Sequence, residues 1–373
     1  MQMKRICQNE EEEGICMMSD IQKGSSSQID RASPGDRMLV PDQLKAYGAA
    51  RGYQDYLANQ VCALLRHQRD HWPMLSGGFS SLESVQMRSF EFNGFEMKLQ
   101  YNAARMASST AKIDEKSIKA RPCFLCQANL PPEQKAIPAG DYVILGNPFP
   151  IFSEHFTISH QEHIPQLIGH SFDAMLDLSK AMGNHYTLFY NGPKSGASVP
   201  DHLHFQGVEW GAMPLDCSWR EMITHHGNWI IDKDRIRVAR VDDGLRRYII
   251  LESDDKKTLA AHFQRLYISF KWASRQAGIT SEDAEEPMSN VHAAMENNRW
   301  RIIVFMRRKH RPSHYFLERD RQILFSPAAV DFGGVCITPV ERDFVRLTAE
   351  DLRSMFEEVS ATREMLDKVA GEL

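Results

Sequence analysis

The run His202-Leu203-His204-Phe205-Gln206 sets three polar side chains at alternating positions. On a strand, residues i, i+2 and i+4 share a face. Leu203 and Phe205 then enter the core, and His202, His204 and Gln206 converge on one surface. That grouping suits chemistry at phosphorus. A neutral imidazole is a good nucleophile and divides a difficult displacement into two steps through a covalent intermediate. A glutamine amide donates to a phosphoryl oxygen as charge builds on it. The preceding Ser195-Gly196-Ala197-Ser198 is small and lets backbone N–H groups come close to an anion, and Lys194 adds a positive charge. An H-x-H pair alone is more often a metal site, or two half-exposed histidines. The glutamine and the small-residue loop move the reading toward catalysis, with His204 as nucleophile.

The second chemical signal is Arg121-Pro122-Cys123-Phe124-Leu125-Cys126. Of seven cysteines, five stand singly (Cys7, Cys16, Cys62, Cys217, Cys336), so the set is not a disulfide framework. Two thiolates at C-x-x-C spacing fit one tetrahedral zinc. Two more ligands are required, and His155, His160, His163, His170 and His202 are the candidates. A redox pair is the alternative. Pro122, Pro131 and Pro132 do not favour the strand-to-helix setting that a thioredoxin-type pair occupies.

These residues sit in a chain of 373 residues, 42% hydrophobic and 25% charged, a globular composition with room for one large domain or two ordinary ones. No apolar run approaches bilayer length. The N-terminus, with Glu10 to Glu13, lacks the apolar stretch of a signal peptide. The expectation is therefore a cytoplasmic protein with no membrane partner. The net charge of −5 offers no bulk basic face for tracking a nucleic-acid polymer.

The elements that must position the two motifs follow from periodicity. Residues 1–38 hold few large apolar side chains and read as a disordered tail. Pro41 to about Trp72 is helical in pattern. Ser89 to Tyr101 alternates around Asn93-Gly94, a hairpin signal. Tyr142 to Leu145 and His155 to Ser159 read as strands, Ser171 to Met182 as a helix, and His185 to Tyr190 as a strand entering the loop Asn191 to Pro200. Tyr248 to Leu251, a helix over Thr258 to Ala273, and Trp300 to Met306 repeat that order. Val335 to Ile337 is a short strand. Thr348 N-caps a final helix whose apolar stripe runs from Leu352 to Val369.

Taken together, HLHFQ and the C-x-x-C knuckle resemble the transferase branch of the histidine-triad superfamily. That branch includes galactose-1-phosphate uridylyltransferase, diadenosine tetraphosphate phosphorylase and the GDP-hexose phosphorylases. The hydrolase branch usually has a further histidine where this chain has Gln206. HLHFQ looks most like the GDP-hexose phosphorylases, the loop Gly192 to Ser198 like the dinucleotide phosphorylases, and the knuckle like the uridylyltransferases. The resemblance implies an α+β fold of two tandem HIT-like repeats, with antiparallel sheets and packed helices. Residues 39–210 would form the catalytic half and 211–373 a degenerate half. It implies a structural zinc on Cys123, Cys126, His163 and His202, His204 as nucleophile and Gln206 on the phosphate. Asn191 would open a substrate-binding loop with Lys194, Ser195, Gly196 and Ser198. WRIIVFMRRK, followed by Asp331-Phe332-Gly333-Gly334, looks like a second, non-catalytic repeat. Arg307, Arg308 and Lys309 there would face distal phosphates, a solvated strand end being the alternative. Asn102 and Arg105 fall where the uridylyltransferases have a substrate-facing segment.

The implied activity is nucleotidyl transfer from a nucleoside diphosphate sugar or a dinucleoside polyphosphate, through nucleotidyl-His204, to phosphate or a sugar phosphate. The rival readings are a zinc-stabilised nucleotide-binding or sensing protein without turnover, and a hydrolase of the same superfamily. Relatives are often dimers, so the resemblance admits a homodimer.

Overall fold

A computed structural model describes residues 37–47, 56–106, 110, 114–280 and 286–373. The tail expectation lies outside the described residues up to residue 36, and its boundary moves. Arg37 is buried and donates to the carbonyls of Leu130 at 2.6 Å and Pro131 at 2.9 Å. Met38 pairs with Ala136. The ordered fold therefore includes these two residues, tied down by backbone acceptors that the composition of the tail could not reveal.

In chain order the elements are α1 (Tyr56–His71), α2 (Pro73–Ser81), β1 (Gln86–Phe92), β2 (Phe95–Tyr101), β3 (Ala136–Ala139), β4 (Tyr142–Gly146) and β5 (His155–His160). Then come α3 (Phe172–Ala181), β6 (Tyr186–Asn191), β7 (His204–Glu209), α4 (Pro214–His226), β8 (Gly227–Lys233), β9 (Ile236–Asp242) and β10 (Arg247–Ser253). The chain ends with α5 (Lys256–Gln276), β11 (Ser289–Glu296), β12 (Arg299–Met306), β13 (Val335–Thr338), α6 (Ala349–Val359) and α7 (Arg363–Gly371). The fold is α+β.

Ten strands form one sheet in the order β3-β4-β5-β7-β6-β11-β12-β10-β9-β8. Each neighbouring pair is antiparallel. Read inward from the two edges, the order is β3-β4-β5-β7-β6 and β8-β9-β10-β12-β11. Each half is a three-strand meander, a crossing helix, and a hairpin whose second strand inserts beside the meander. The halves join through β6 and β11, where Asn191 lies opposite Asn290. β7 of the first half carries His204 and Gln206, whereas β12, its counterpart by strand order, has no histidine.

Both faces of the sheet are covered, which is why β4 and β6 are buried along their whole length rather than alternating. Ile249, Leu251, Ile302 and Val304 pack with α1, α3, α5 and α7. Tyr248, Ile250, Ile303 and Phe305 pack on the other face with β1, β2, α4 and α6. The hairpin turn has Asn93 at φ 45° and Gly94 at φ 89°. A two-residue turn with both φ positive matches strand twist, hence Asn-Gly there.

The final helix differs from expectation. It is two helices, because Ser360 bridges to Arg307 and Ala361 N–H donates to the Met306 carbonyl at 2.9 Å. Thr362 then caps a new helix by accepting from Met365 N–H. A continuous apolar stripe does not register a local cap and a strand-like bridge inside it.

Candidate functional site

The knuckle, the His163 turn and the approach to β7 converge. Ligand atoms of Cys123, Cys126, His163 and His202 all lie within 4.8 Å of one another. His202 Nδ1 is 3.3 Å from Cys123 Sγ and 3.5 Å from Cys126 Sγ, and His163 Nδ1 is 3.2 Å from Cys126 Sγ. Metal–sulfur and metal–nitrogen bonds of about 2.3 and 2.0–2.1 Å at a tetrahedral angle give S–N separations of about 3.6 Å. The far nitrogens are committed elsewhere. His202 Nε2 donates to the His160 carbonyl at 2.8 Å, and His163 Nε2 lies 3.3 Å from Asp201 Oδ2. Both imidazoles therefore present an Nδ1 lone pair to the thiols, with a hydrogen-bond acceptor behind each ring. Burial, and then the neighbouring Cys126 thiol, push the Cys123 thiol up to about 12. A cation held there would reverse that. These four residues could hold a metal ion. The other histidine candidates are not in the cluster: His155 faces Gln206, and His160 contributes its backbone carbonyl.

His202 itself precedes β7, which begins at His204. The His202 carbonyl is 2.8 Å from His204 Nδ1. A carbonyl only accepts, so Nδ1 carries the ring proton and Nε2 keeps its lone pair. Burial pulls the His204 imidazole down to about 4, and the ring is neutral at physiological pH. Gln206, half-buried two residues on, accepts at Oε1 from His155 Nε2 at 3.0 Å. The orientation of that amide is fixed by a relay. Ile151 N–H donates to His155 Nδ1 at 3.2 Å, so the proton of His155 is on Nε2. Gln206 Oε1 is thereby occupied and its NH2 is left as a donor. Burial, and next the charge of Arg105, lower His155 to about 3.

The loop after β6 connects Asn191 to the approach to β7. Ser195 and Ala197 N–H both donate to the Gly192 carbonyl, at 2.8 and 3.4 Å. Gly196 has φ +101°, and a Cβ there would stand 2.6 Å from Ala328 Cβ, so two separate constraints require glycine. Asn191 Oδ1 accepts from Asn290 Nδ2 at 2.7 Å and from Ala329 N–H at 2.9 Å. Arg121, beside the knuckle, donates to the Ser198 carbonyl at 2.8 Å. Lys194 is exposed, and burial, then the charges of Arg311, Arg307 and last Lys194, lower the half-buried His310.

Ser195 Oγ in this loop is buried with no protein partner among the described residues, as are Arg307 Nε and Arg105 Nε elsewhere.

The arginine–lysine run is used differently from the expectation. Arg307 is fully buried, and its terminal nitrogens donate to Asn290 Oδ1 and to the carbonyls of Pro327, Lys309 and His310. Only Nε remains. Arg308 donates to the Glu357 and Glu358 carbonyls at the end of α6, and Lys309 pairs with Glu358. A strand end that docks on a helix C-terminus recruits cations by the helix dipole, which a one-dimensional basic run does not distinguish from a phosphate site. Asn102 supports the loop below His155 by donating to the Pro150 carbonyl at 3.3 Å. Arg105 donates to the Phe149 carbonyl at 2.7 Å.

Sequence reasoning missed Gln166, Asn290 and the pairing of His155 with Gln206. Each acts through a contact distant in sequence. Gln166 carries no signal beyond its place three residues after His163.

Among solved structures, the yeast Ap4A phosphorylase Apa2 in complex with Ap4A is 14% identical, with 78% of this chain and 97% of that chain covered and a TM-score of 0.49. An ADP-glucose phosphorylase from Arabidopsis thaliana with bound ADP-glucose is 14% identical, covering 74% of this chain and 100% of that one, at a TM-score of 0.33. A DUF4931 family protein from Bacillus cereus ATCC 10987 is 16% identical over 50% of this chain and 92% of that one, at 0.33. No curated protein matches the chain. Among the described residues, no helix is long and apolar enough to cross a membrane. Residues 64–209, the span that contains the knuckle, Gln166 and His204, match the family described as a domain of unknown function (DUF4922).

Proposed function

We propose that the chain is a nucleotidyltransferase of the phosphorylase type, with His204 as nucleophile and Gln206 on the transferred phosphoryl group. The supporting observation is the geometry of His204: its Nδ1–H is held by the His202 carbonyl at 2.8 Å, which leaves the lone pair on Nε2. In the first half-reaction, Nε2 forms a bond to the α-phosphorus of a nucleoside diphosphate sugar or dinucleoside polyphosphate. The bond from that phosphorus to the bridging oxygen breaks, and the sugar phosphate of the first donor, or the nucleoside polyphosphate of the second, departs with the electron pair. The ring is then cationic, and the Nδ1–H bond to the carbonyl stabilises it. In the second half-reaction, phosphate or a sugar phosphate attacks the same phosphorus and returns neutral His204. Gln206 NH2 and the N–H groups of Lys194, Gly196 and Ser198 donate to the phosphoryl oxygens as charge develops. Ser195 Oγ, Arg105 and Lys194 serve the remaining oxygens.

The ion on Cys123, Cys126, His163 and His202 is proposed to be zinc with a structural role, since two thiolates and two imidazoles fill its tetrahedral shell. Those residues would hold it beside the start of β7, next to the His202 carbonyl that accepts from His204 Nδ1.

The test is intact-protein mass spectrometry after mixing with ADP-glucose, UDP-glucose, GDP-glucose and diadenosine tetraphosphate. A nucleoside monophosphate adduct is expected, lost in His204→Ala and discharged by phosphate or a sugar phosphate. Tight donor binding without adduct would instead support a binding protein, and discharge by water alone a hydrolase.

A further inference from the structure

The antiparallel ladder between β6 and β7 runs from Tyr186↔Glu209 to Phe189↔Gln206 and then stops. Continued in the same register, it would place Asn191 opposite His204. The side-chain amide of Gln166 stands between them. Gln166 Oε1 accepts from His204 N–H at 2.7 Å, while Gln166 Nε2 donates to the His204 carbonyl at 3.0 Å and to the Asn191 carbonyl at 2.9 Å. One side-chain amide thus serves both backbone groups of His204, as a neighbouring strand would, and with its second N–H also the Asn191 carbonyl. On its other edge β7 pairs with β5, Ser159 opposite His204. The backbone groups of His204 that face β6 have Gln166 as their partner.

Gln166 is itself immobilised. It is 0% exposed, its N–H donates to the Pro200 carbonyl, and its carbonyl accepts from Tyr190 OH at 3.0 Å. The wedge is therefore anchored at both ends of the loop it holds open, to Asn191 on one side and Pro200 on the other. A side chain inserted into a ladder forces the strands apart. Here the opening lies where the Asn191–Pro200 loop departs and where His204 begins β7.

We propose that Gln166 is a positioning residue for His204. Its amide fixes the fork between β6 and β7, and so the distance of the nucleophile from the phosphate loop. The proposal rests on the reading of His204 as nucleophile, and goes beyond it by assigning what sets the geometry of that residue.

Two variants test it. Gln166→Met has similar length and no amide, and lets Asn191 and His204 close on one another. Gln166→Glu keeps the acceptor for His204 N–H but turns a carboxylate oxygen toward two carbonyls. Single-turnover adduct formation is measured with the donor from the four-compound panel that labels the wild type. The expected result is a maximal rate lower by about 10²-fold, as for an ångström-scale misplacement of a reacting group. The half-saturating donor concentration should stay within about threefold. Amide hydrogen exchange read at single-residue resolution is the donor-free arm. The His204 amide is protected in the wild type and exchanges faster in both variants, with zinc content and circular dichroism retained. Wild-type adduct rates in either folded variant, or a rate loss matched by an equal rise in half-saturation, would overturn the proposal. So would equal exchange at His204 in all three proteins. If no donor labels the wild type, the nucleophile reading fails by itself, and the exchange comparison still decides whether Gln166 holds the strand. If Gln166→Met does not fold, Gln166→Glu carries the same two measurements.

Discussion

The carbonyl of His202 accepts from Nδ1 of His204 at 2.8 Å, while the ring of the same His202 turns its Nδ1 toward two thiols. One residue thus joins the candidate metal cluster to the candidate nucleophile. Any change that moves the His202 backbone changes the ring orientation and tautomer of His204.

Asp201 offers the sharpest test of that link, because its carboxylate holds the outer nitrogen of His163. Asp201→Asn is expected to weaken metal binding by about 10–100-fold, measured by competition with a chromogenic chelator. Cys126→Ser should abolish stoichiometric metal and lower the melting temperature. It should also slow adduct formation on His204, although neither cysteine touches the donor. Unchanged labelling by a metal-free, folded protein would separate the two sites.

His155→Phe removes the N–H that orients the Gln206 amide. The expected outcome is a loss of about tenfold in the rate of adduct formation, with donor affinity nearly retained. Gln206→Glu should cost about 10²–10³-fold, since it replaces the proposed donor to the phosphoryl oxygens with a like charge. A His155→Phe rate equal to wild type would show that Gln206 needs no such partner.

Gly196→Ala combines a φ of +101° with a Cβ at 2.6 Å from Ala328 Cβ. A destabilisation of about 1–3 kcal/mol by urea unfolding is expected, together with weaker donor binding as the loop shifts. Ser198→Ala, which leaves the carbonyl bound by Arg121 in place, should unfold within about 0.5 kcal/mol of wild type.

Arg307, Arg308 and Lys309 separate cleanly. Arg307→Met strands four acceptors in the interior and is expected to cost on the order of 3 kcal/mol. Arg308→Ala and Lys309→Ala are exposed and should change stability by less than about 1 kcal/mol, with donor affinity unaltered. A several-fold loss of affinity in either of the latter would restore their role at distal phosphates.

Stability should fall as the medium is acidified from pH 6.5 toward 4. Burial holds His155 to about 3, His292 to about 4 and His310 to about 3, all below the ordinary histidine value. In that window the unfolded chain protonates these three groups and the folded chain does not. Burial also raises the Asp331 carboxyl to about 7, so the folded chain holds one proton there that the unfolded chain releases. Such buried histidines outnumber that one carboxyl, so unfolding takes up protons and stability rises with pH across the window. Melting temperatures of the metal-loaded protein at half-unit pH steps check the sign. A flat profile would contradict it.

The sequence by itself determined the chemistry-bearing residues that lie close together in the chain. The alternation of His204 and Gln206 on β7, the C-x-x-C spacing and the Asn-Gly hairpin are local rules, set by side-chain periodicity, thiolate geometry and positive φ, whereas His202, expected on the same strand, lies before it. The resemblance of the motifs also assembled Cys123, Cys126, His163 and His202, which the fold brings within 4.8 Å. Tertiary structure decided what spacing cannot encode. It turned His155 from a possible metal ligand into the partner of Gln206, and it buried Arg307 among carbonyls. It broke the last apolar stripe at Ser360 and included Arg37 and Met38 in the fold. It also set Gln166 between Asn191 and His204, residues brought together because β7 inserts between β5 and β6. Hydrogen bonds across a sheet depend on which strands become neighbours, and that is fixed by packing on both faces, not by any one segment.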